Sequence, residues 1–194
     1  MKTDIILAGV GGQGILTIAT TIGLAAVNKN LYLKQAEVHG MSQRGGDVQS
    51  HLRLSDQEIY SDLIPRGNAD IIISVEPMEA LRYLPFLNPS GYVITNIKPF
   101  NNISNYPEMD DLLKQIDALP NKIALDADLL AKEIGSSRAS NIVMLGAASA
   151  FLNLDIEDLE NALKQLFGRK GDEMVELNIK ALRAGREFAD NQSK

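Results

Sequence analysis

Six residues near the N-terminus, Gly9-Val10-Gly11-Gly12-Gln13-Gly14, constrain what this chain can fold into more than any others. A short apolar run, residues 4–9, leads into them, and Ile15, Leu16, Ile18, Ala19, Ile22 and Ala26 follow at helical spacing. The order is strand, tight turn, helix. A second apolar run, residues 31–38, comes after Lys29 and Asn30, so the opening reads as a strand-helix-strand crossover and predicts parallel pairing of its two strands. Glycine in such a turn permits the tight bend, and it lets an anion approach bare backbone N–H groups at a helix N-terminus, where the helix dipole favours negative charge.

Residues 47–54 alternate, with Val48, Leu52 and Leu54 on one face and Gln49, His51 and Arg53 on the other. Ser55, Asp56 and Gln57 then turn into residues 58–61, which predicts a hairpin added to the sheet with one polar face. Residues 70–75 and 91–96 read as further strands, the second introduced by Asn88, Pro89 and Ser90. Between them, residues 77–84 read as a helix with proline in its first turn. A helix over 109–118 and a strand over 122–125 follow. Residues 139–152 are apolar nearly all round, with Gly146, Ala147 and Ala150 permitting close backbone approach, so this helix should lie between layers or against a partner. Asp155 caps a helix striped by Leu159, Leu163 and Leu166, with Asp158 in its first turn. Met174, Leu177, Ala181, Leu182 and Phe188 mark a last helix that frays over 190–194. The expected fold class is α/β: one domain over residues 1–190, an open, mostly parallel but mixed twisted sheet in a Rossmann-like three-layer α/β/α arrangement, with a helical C-terminal part.

The chain has 194 residues and a formal net charge of −6, without the basic excess that would hold a phosphate backbone, so nucleic acid is not an expected partner. With no cysteine it cannot form disulfides or bind zinc or iron-sulfur clusters through its own thiolates. Residues 5–28 carry no charge, yet Gly9, Gly11, Gly12 and Gly14 interrupt them and residues 15–27 are too short to cross a bilayer. The N-terminus lacks a basic region leading to a small-residue cleavage site, and Asp4 sits where a signal peptide would be apolar. A cytoplasmic protein with no membrane contact is the expectation.

The first motif satisfies G-x-G-x-x-G between strand and helix, the context of dinucleotide binding, and Glu37 stands at the end of the second strand where a ribose-binding acid belongs. The same glycines also suit a tight turn that only lets the helix pack closely, and the residues leave both readings open. The second motif, Glu37-Val38-His39-Gly40-Met41-Ser42-Gln43-Arg44-Gly45-Gly46, mixes charge, histidine, thioether and glycine, a composition of little use in a core. At the carboxyl end of a strand it falls where open α/β sheets place their ligand crevice; an ordinary solvated loop is the other possibility. Arg44 can grip a carboxylate or phosphate bidentately, and Gly45 and Gly46 let other backbone come near. His39 and His51 are the only histidines. With Glu37 their spacing matches no familiar metal site, and no nucleophile or paired acid accompanies His39.

At residues 9–14 followed by 37–46 the sequence resembles the gamma-type domain of pyruvate and other 2-oxoacid:ferredoxin oxidoreductases, most fully in the small beta subunits of the indolepyruvate branch. The resemblance continues through Val48-Gln49-Ser50-His51-Leu52-Arg53, Tyr60-Ser61-Asp62-Leu63-Ile64-Pro65, Glu76-Pro77-Met78-Glu79-Ala80-Leu81-Arg82-Tyr83-Leu84 and Asn141-Ile142-Val143-Met144-Leu145-Gly146. It implies oxidative decarboxylation of a 2-oxoacid, here an aryl pyruvate, with coenzyme A as acyl acceptor and ferredoxin as electron acceptor. It implies also that thiamine diphosphate, magnesium and iron-sulfur clusters sit on a large alpha subunit, because this sequence lacks both cysteine and a Gly-Asp-Gly with paired asparagines. On this reading the chain closes one side of the partner's active site, its two loops emerging from neighbouring strands into one crevice. The implied binding residues are Gly9, Gly11, Gly12, Gln13, Gly14, Glu37, Ser42, Gln43, Arg44, Gly45 and Gly46, with His39 and Arg44 as candidates at the active site of the complex. A stand-alone NAD- or flavin-binding oxidoreductase, and a purely structural assembly subunit, are the readings it competes with.

Overall fold

The computed structural model describes residues 1–40 and 45–192, leaving the His39 side chain aside. Strand β1 (Lys2–Val10) runs through the middle of the sheet, and its eight residues after Lys2 are all buried because layers cover both of its faces. On one side lies β4 (Ala69–Ser74), parallel, with Ile5 opposite Ile71 and Leu7 opposite Ile73. On the other lies β3 (Asp47–Ser55), antiparallel, with Ile5 opposite Leu52 and Val10 opposite Asp47. β5 (Leu87–Asn96) and β6 (Lys122–Leu125) extend the parallel set, and β2 (Tyr32–His39) forms the far edge, giving the order β2-β3-β1-β4-β5-β6. The sheet is mixed and mostly parallel, as expected.

Three expectations about the strands change. β5 begins at Leu87, so Asn88, Pro89 and Ser90, expected as the turn before it, lie within the strand. The crossover from β1 through α1 (Ile15–Asn28) to β2 sets both strands in the same direction, yet they do not pair, because β3 is inserted between them. The hairpin is therefore β2 with β3, joined through residues 40–46. Residues 58–61, expected to supply its second strand, lie in a stretch, 56–68, that contains no strand at all. This stretch folds across the polar side of β3, where Arg53 Nη1 donates to Ser61 O and Leu63 O, both at 3.0 Å, and Ile64 N donates to His51 Nδ1 at 3.0 Å. Backbone groups that would have made a ladder are satisfied by side chains instead.

One face of the sheet is covered by α1 with α4 (Ala127–Glu133), α5 (Ser140–Ala148), α6 (Ile156–Phe167) and α7 (Asp172–Gln192), around a continuous core that includes Leu7, Ile18, Ile22, Leu52, Ile73 and Leu145. The all-round apolar helix expected over 139–152 is α5 followed by a 3-10 turn, Ser149–Phe151. It presses against α7 backbone to backbone: a Cβ on Gly146 would lie 2.0 Å from Leu182 O, and one on Gly185 would lie 1.9 Å from Val143 O. Asp155 is the N-cap of α6, as anticipated, and its N donates in addition to Asp158 Oδ2 at 3.0 Å. α7 continues to Gln192 instead of fraying from residue 190, and α4 was not foreseen. The opposite face carries α2 (Pro77–Arg82), which stops short of residue 84 at a 3-10 turn containing Pro85, together with α3 (Met109–Asp117). Ile6, Ala8, Ile64, Ile72, Ala80 and Tyr83 form the smaller core beneath them. Among the described residues no helix is long and apolar enough to cross a membrane.

Candidate functional site

Every parallel strand ends at the same edge of the sheet. α1, which follows β1, packs on one face, and α2, which follows β4, packs on the other, so a crevice opens between the ends of β1 and β4 where open α/β sheets bind ligands. The glycine loop sits in it. Gly12 and Gly14 have φ of +99° and +82°, a region that favours glycine. Gly14 caps α1 without a side-chain hydrogen bond, so the first-turn N–H groups of α1 have no side-chain acceptor from the cap. Gln13 folds back across the crevice: its Oε1 accepts from Val10 N at 2.8 Å and its Nε2 donates to Val75 O at 3.3 Å, stapling the ends of β1 and β4 together. Two glycines have packing reasons. A Cβ on Gly9 would meet Val75 Cγ2 at 2.4 Å, and one on Gly14 would meet Asn141 Nδ2 at 2.5 Å, from which Gly14 O accepts at 3.2 Å. Gly12 has open space around it.

The second glycine stretch meets the first through the backbone. Gly11 N donates to Gly46 O at 2.8 Å, Gly45 N donates to Gly11 O at 3.5 Å, and Gly40 N donates to Asp47 O at 2.9 Å. The two loops do come together, although their strands are not neighbours, because β3 returns the chain alongside β1. Ser42, Gln43 and Arg44 lie outside the described residues, and His39 is placed only as the backbone partner of Val48. Glu37 stands apart: it pairs with Ser50, level with Leu7, on a strand separated from β1 by β3, about 10 Å across the sheet. Its carboxylate accepts from Gln35 Nε2 at 3.3 Å.

Several residues at this edge escaped the sequence reading. Glu76, fully buried just after β4, accepts at Oε2 from Glu79 N at 2.9 Å, and at Oε1 from Phe100 N at 3.3 Å and from the Tyr106 hydroxyl. Asn96, at the end of β5, donates to Asp128 Oδ2 at 2.9 Å and Val75 O at 3.4 Å, while its Oδ1 accepts from Ala127 N at 3.1 Å. Burial raises the Glu79 carboxyl to about 7, against the pull of Arg82 and with the help of Glu76 and Asp47. Arg82 Nε is 3.0 Å from Glu79 Oε2, but among the described residues no hydrogen bond is directed onto that oxygen. Tyr83 is pushed up to about 12 by burial and by Glu79 and Asp47, and Tyr106 is raised by burial and its bond to Glu76. His51 is lowered, by burial first and then by Arg53. Glu76 figured in the sequence only at the head of the stretch of resemblance over residues 76–84, and residues 97–108 carry no periodicity.

Three cavities adjoin the glycine loop. One of about 550 Å³ is bordered by Gly12, Thr17, Arg138, Ser140, Phe167 and Lys170. A second, about 290 Å³, is lined by Val10, Gly11, Gly12, Ile15, Leu16 and Val48. The third, about 200 Å³, lies between Gln13, Val75, Asn96, Phe100 and Asp128. Amide donors, hydroxyls and the cations Arg138 and Lys170 in the walls of the first suit an anionic ligand. Among the described residues no His, Cys, Asp and Glu side chains group in a way that could hold a metal ion. The sequence has no cysteine for an iron-sulfur cluster, so the residues present do not fit such a group.

Residues 4–188 match the model of the pyruvate ferredoxin/flavodoxin oxidoreductase family. Indolepyruvate oxidoreductase subunit IorB of Archaeoglobus fulgidus is 38% identical over 194 residues, covering 95% of this chain and 94% of that protein. The protein of the same name in Thermococcus kodakarensis is 40% identical over 154 residues, 75% of this chain and 76% of that one. The gamma subunit of a keto/oxoacid ferredoxin oxidoreductase from Geobacter sulfurreducens superimposes with a TM-score of 0.69 at 26% identity, over 97% of this chain and 99% of that one. A 2-oxoglutarate:ferredoxin oxidoreductase from Magnetococcus marinus shares the fold, with a TM-score of 0.77 at 22% identity over 98% of this chain and 31% of that longer one. The chain belongs to the pyruvate ferredoxin/flavodoxin oxidoreductase family.

Proposed function

We propose that the chain is the small subunit of an indolepyruvate:ferredoxin oxidoreductase, a complex that oxidatively decarboxylates aryl pyruvates to acyl-coenzyme A and passes the electrons to ferredoxin. The observation that carries this is the 33–40% identity to four proteins named indolepyruvate oxidoreductase subunit IorB, over three quarters or more of the chain. On this reading the large alpha subunit carries thiamine diphosphate with magnesium, which supplies the carbanion chemistry, and the iron-sulfur clusters. The small subunit binds and orients. Its glycine-loop amides bind the phosphates of coenzyme A or the carboxylate of the 2-oxoacid, Arg44 contributes a charge-assisted contact to the same ligand, and the complex works in the cytoplasm. Residues 1–190 act as one domain.

The placement of Glu37 and the filling of the strand crevice by Gln13 weigh against a free-standing dinucleotide enzyme, whose ribose-binding acid belongs on the strand beside β1. Affinity purification of the tagged chain from its native cell tests the assembly: a large companion containing thiamine diphosphate and iron is expected, and a chain purifying alone counts against it. In the assembled complex, Arg44→Ala should raise the Michaelis constant for coenzyme A or for the 2-oxoacid by about tenfold or more, the loss of one charge-assisted contact. Unchanged kinetics for both substrates, with assembly intact, remove Arg44 from the site.

A further inference from the structure

We propose that residues 97–108 are a positioning strap for the two glycine stretches, anchored on the buried carboxylate of Glu76. The proposal rests on the reading of those stretches as the ligand-facing wall. The segment joins β5 to α3, contains no regular secondary structure and is largely exposed, which by itself describes an ordinary connector. Its polar contacts are not those of a connector. Phe100 N and the Tyr106 hydroxyl both donate to Glu76 Oε1, and Asn102 Nδ2 donates to Gly45 O.

A carboxylate with no solvent exposure is costly unless its oxygens are hydrogen-bonded, and of the three bonds that the described residues give the Glu76 oxygens, two come from the strap. Glu76 is fixed in turn by its place at the end of β4 and as the N-cap of α2. The strap therefore hangs from a rigid point of the sheet. At its other contact Gly45 has a φ of +81°, and a Cβ there would come within 2.8 Å of Asn102 Nδ2, so both the backbone bend and the Asn102 contact require glycine. Gly45 N donates to Gly11 O and Gly11 N to Gly46 O, which completes a chain of bonds from Glu76 through Asn102 and Gly45 to the glycine loop. Where the loop amides point is thus set partly from β4, on the far side of the crevice. Asn102 and Tyr106 act as positioning residues; they hold the wall and need not touch the ligand.

Asn102→Asp keeps the side-chain shape and removes the N–H donor, and Asn102 is exposed, so folding is not at stake. Hydrogen exchange of the full chain should then show the amides of Gly11 and Gly45 exchanging about fivefold faster, the loss of one hydrogen bond, with a smaller change of the same sign in Tyr106→Phe. In the assembled complex the same variants should raise a Michaelis constant several-fold and leave kcat near the wild-type value. Wild-type exchange together with wild-type Michaelis constants in both variants overturns the proposal. Failure of the site reading looks different: Arg44→Ala then has wild-type kinetics, and the exchange result alone decides whether the strap holds the loops.

Discussion

The two faces of the sheet are held by different forces. The face under α1 and α4 to α7 is apolar almost throughout, one contiguous core in which α5 and α7 meet at paired glycines. The other face buries charge. Asp4, His51 and Arg53 project from β1 and β3 into it, Glu76 and Glu79 flank the start of α2, and much of the cover is the irregular segment 56–68. Arg53 alone makes bonds of 2.7 and 3.0 Å to Asp4 and donates to two loop carbonyls. An apolar face tolerates exchange of one hydrophobe for another at modest cost, whereas a buried polar face works only when every partner is present. The candidate site lies where the two faces meet, with the glycine loop leading into α1 on the first and Glu76 into α2 on the second.

Substitutions that break each face in its own way test this contrast. The largest effect is expected from Gly185→Val, which drives a side chain into a carbonyl less than 2 Å away and should destabilise by more than about 4 kcal/mol or abolish soluble expression. A denaturant midpoint near that of the parent would mean that α5 and α7 are not in backbone contact. Next comes Arg53→Leu, which leaves Asp4 with Lys2 as its remaining ion-pair partner and should cost about 3 kcal/mol. Removing Asp4 as well, with Asp4→Leu, should recover part of that loss. If it recovers none, the polar face is not organised around this pair.

Glu79 gives a smaller effect with a sign. Its folded pKa, about 7, lies above the ordinary 4.5, so between these values the folded chain holds more protons than the unfolded one, and stability falls as pH rises through that window. Glu79→Gln should therefore raise the melting temperature at pH 8 and leave it nearly unchanged at pH 4.5. His51 works oppositely: a ring held below 6.5 stays neutral in the fold, so stability is lost as pH falls below 6.5, and the acid limb of the profile should flatten in His51→Gln. The smallest change should come from Lys29→Ala, which removes an exposed bridge to Asp155 and Asp158 on the helical face and should matter less as salt is added.

The apolar face was legible because its periodicities are local: β1, β4 and β6 fell within a residue or two of where they were expected, and α1 and α6 followed from their stripes and caps. The polar face was not. Gln49, His51 and Arg53 alternate as a solvent-facing strand surface would, and the partners that bury His51 and Arg53 lie in β1 and in a segment without periodicity. The β2-β3 hairpin was hidden because its seven-residue connection is longer than the two to five residues usual for such turns, and it carries the motif that drew attention as a ligand loop. Of the candidate site, the glycines and their meeting at one edge were readable. Glu76, Asn96 and the strap were not, since a buried acid after a strand looks in sequence like any helix cap.

The claim that this chain serves a larger enzyme and has no turnover of its own is tested most directly by a steady-state assay of the purified chain. The assay follows coenzyme A-dependent reduction of a low-potential dye by indolepyruvate, with and without the large subunit proposed to carry thiamine diphosphate. No turnover is expected from the chain alone, and reduction should appear only on adding the partner. Turnover at a comparable rate by the chain by itself would contradict the account.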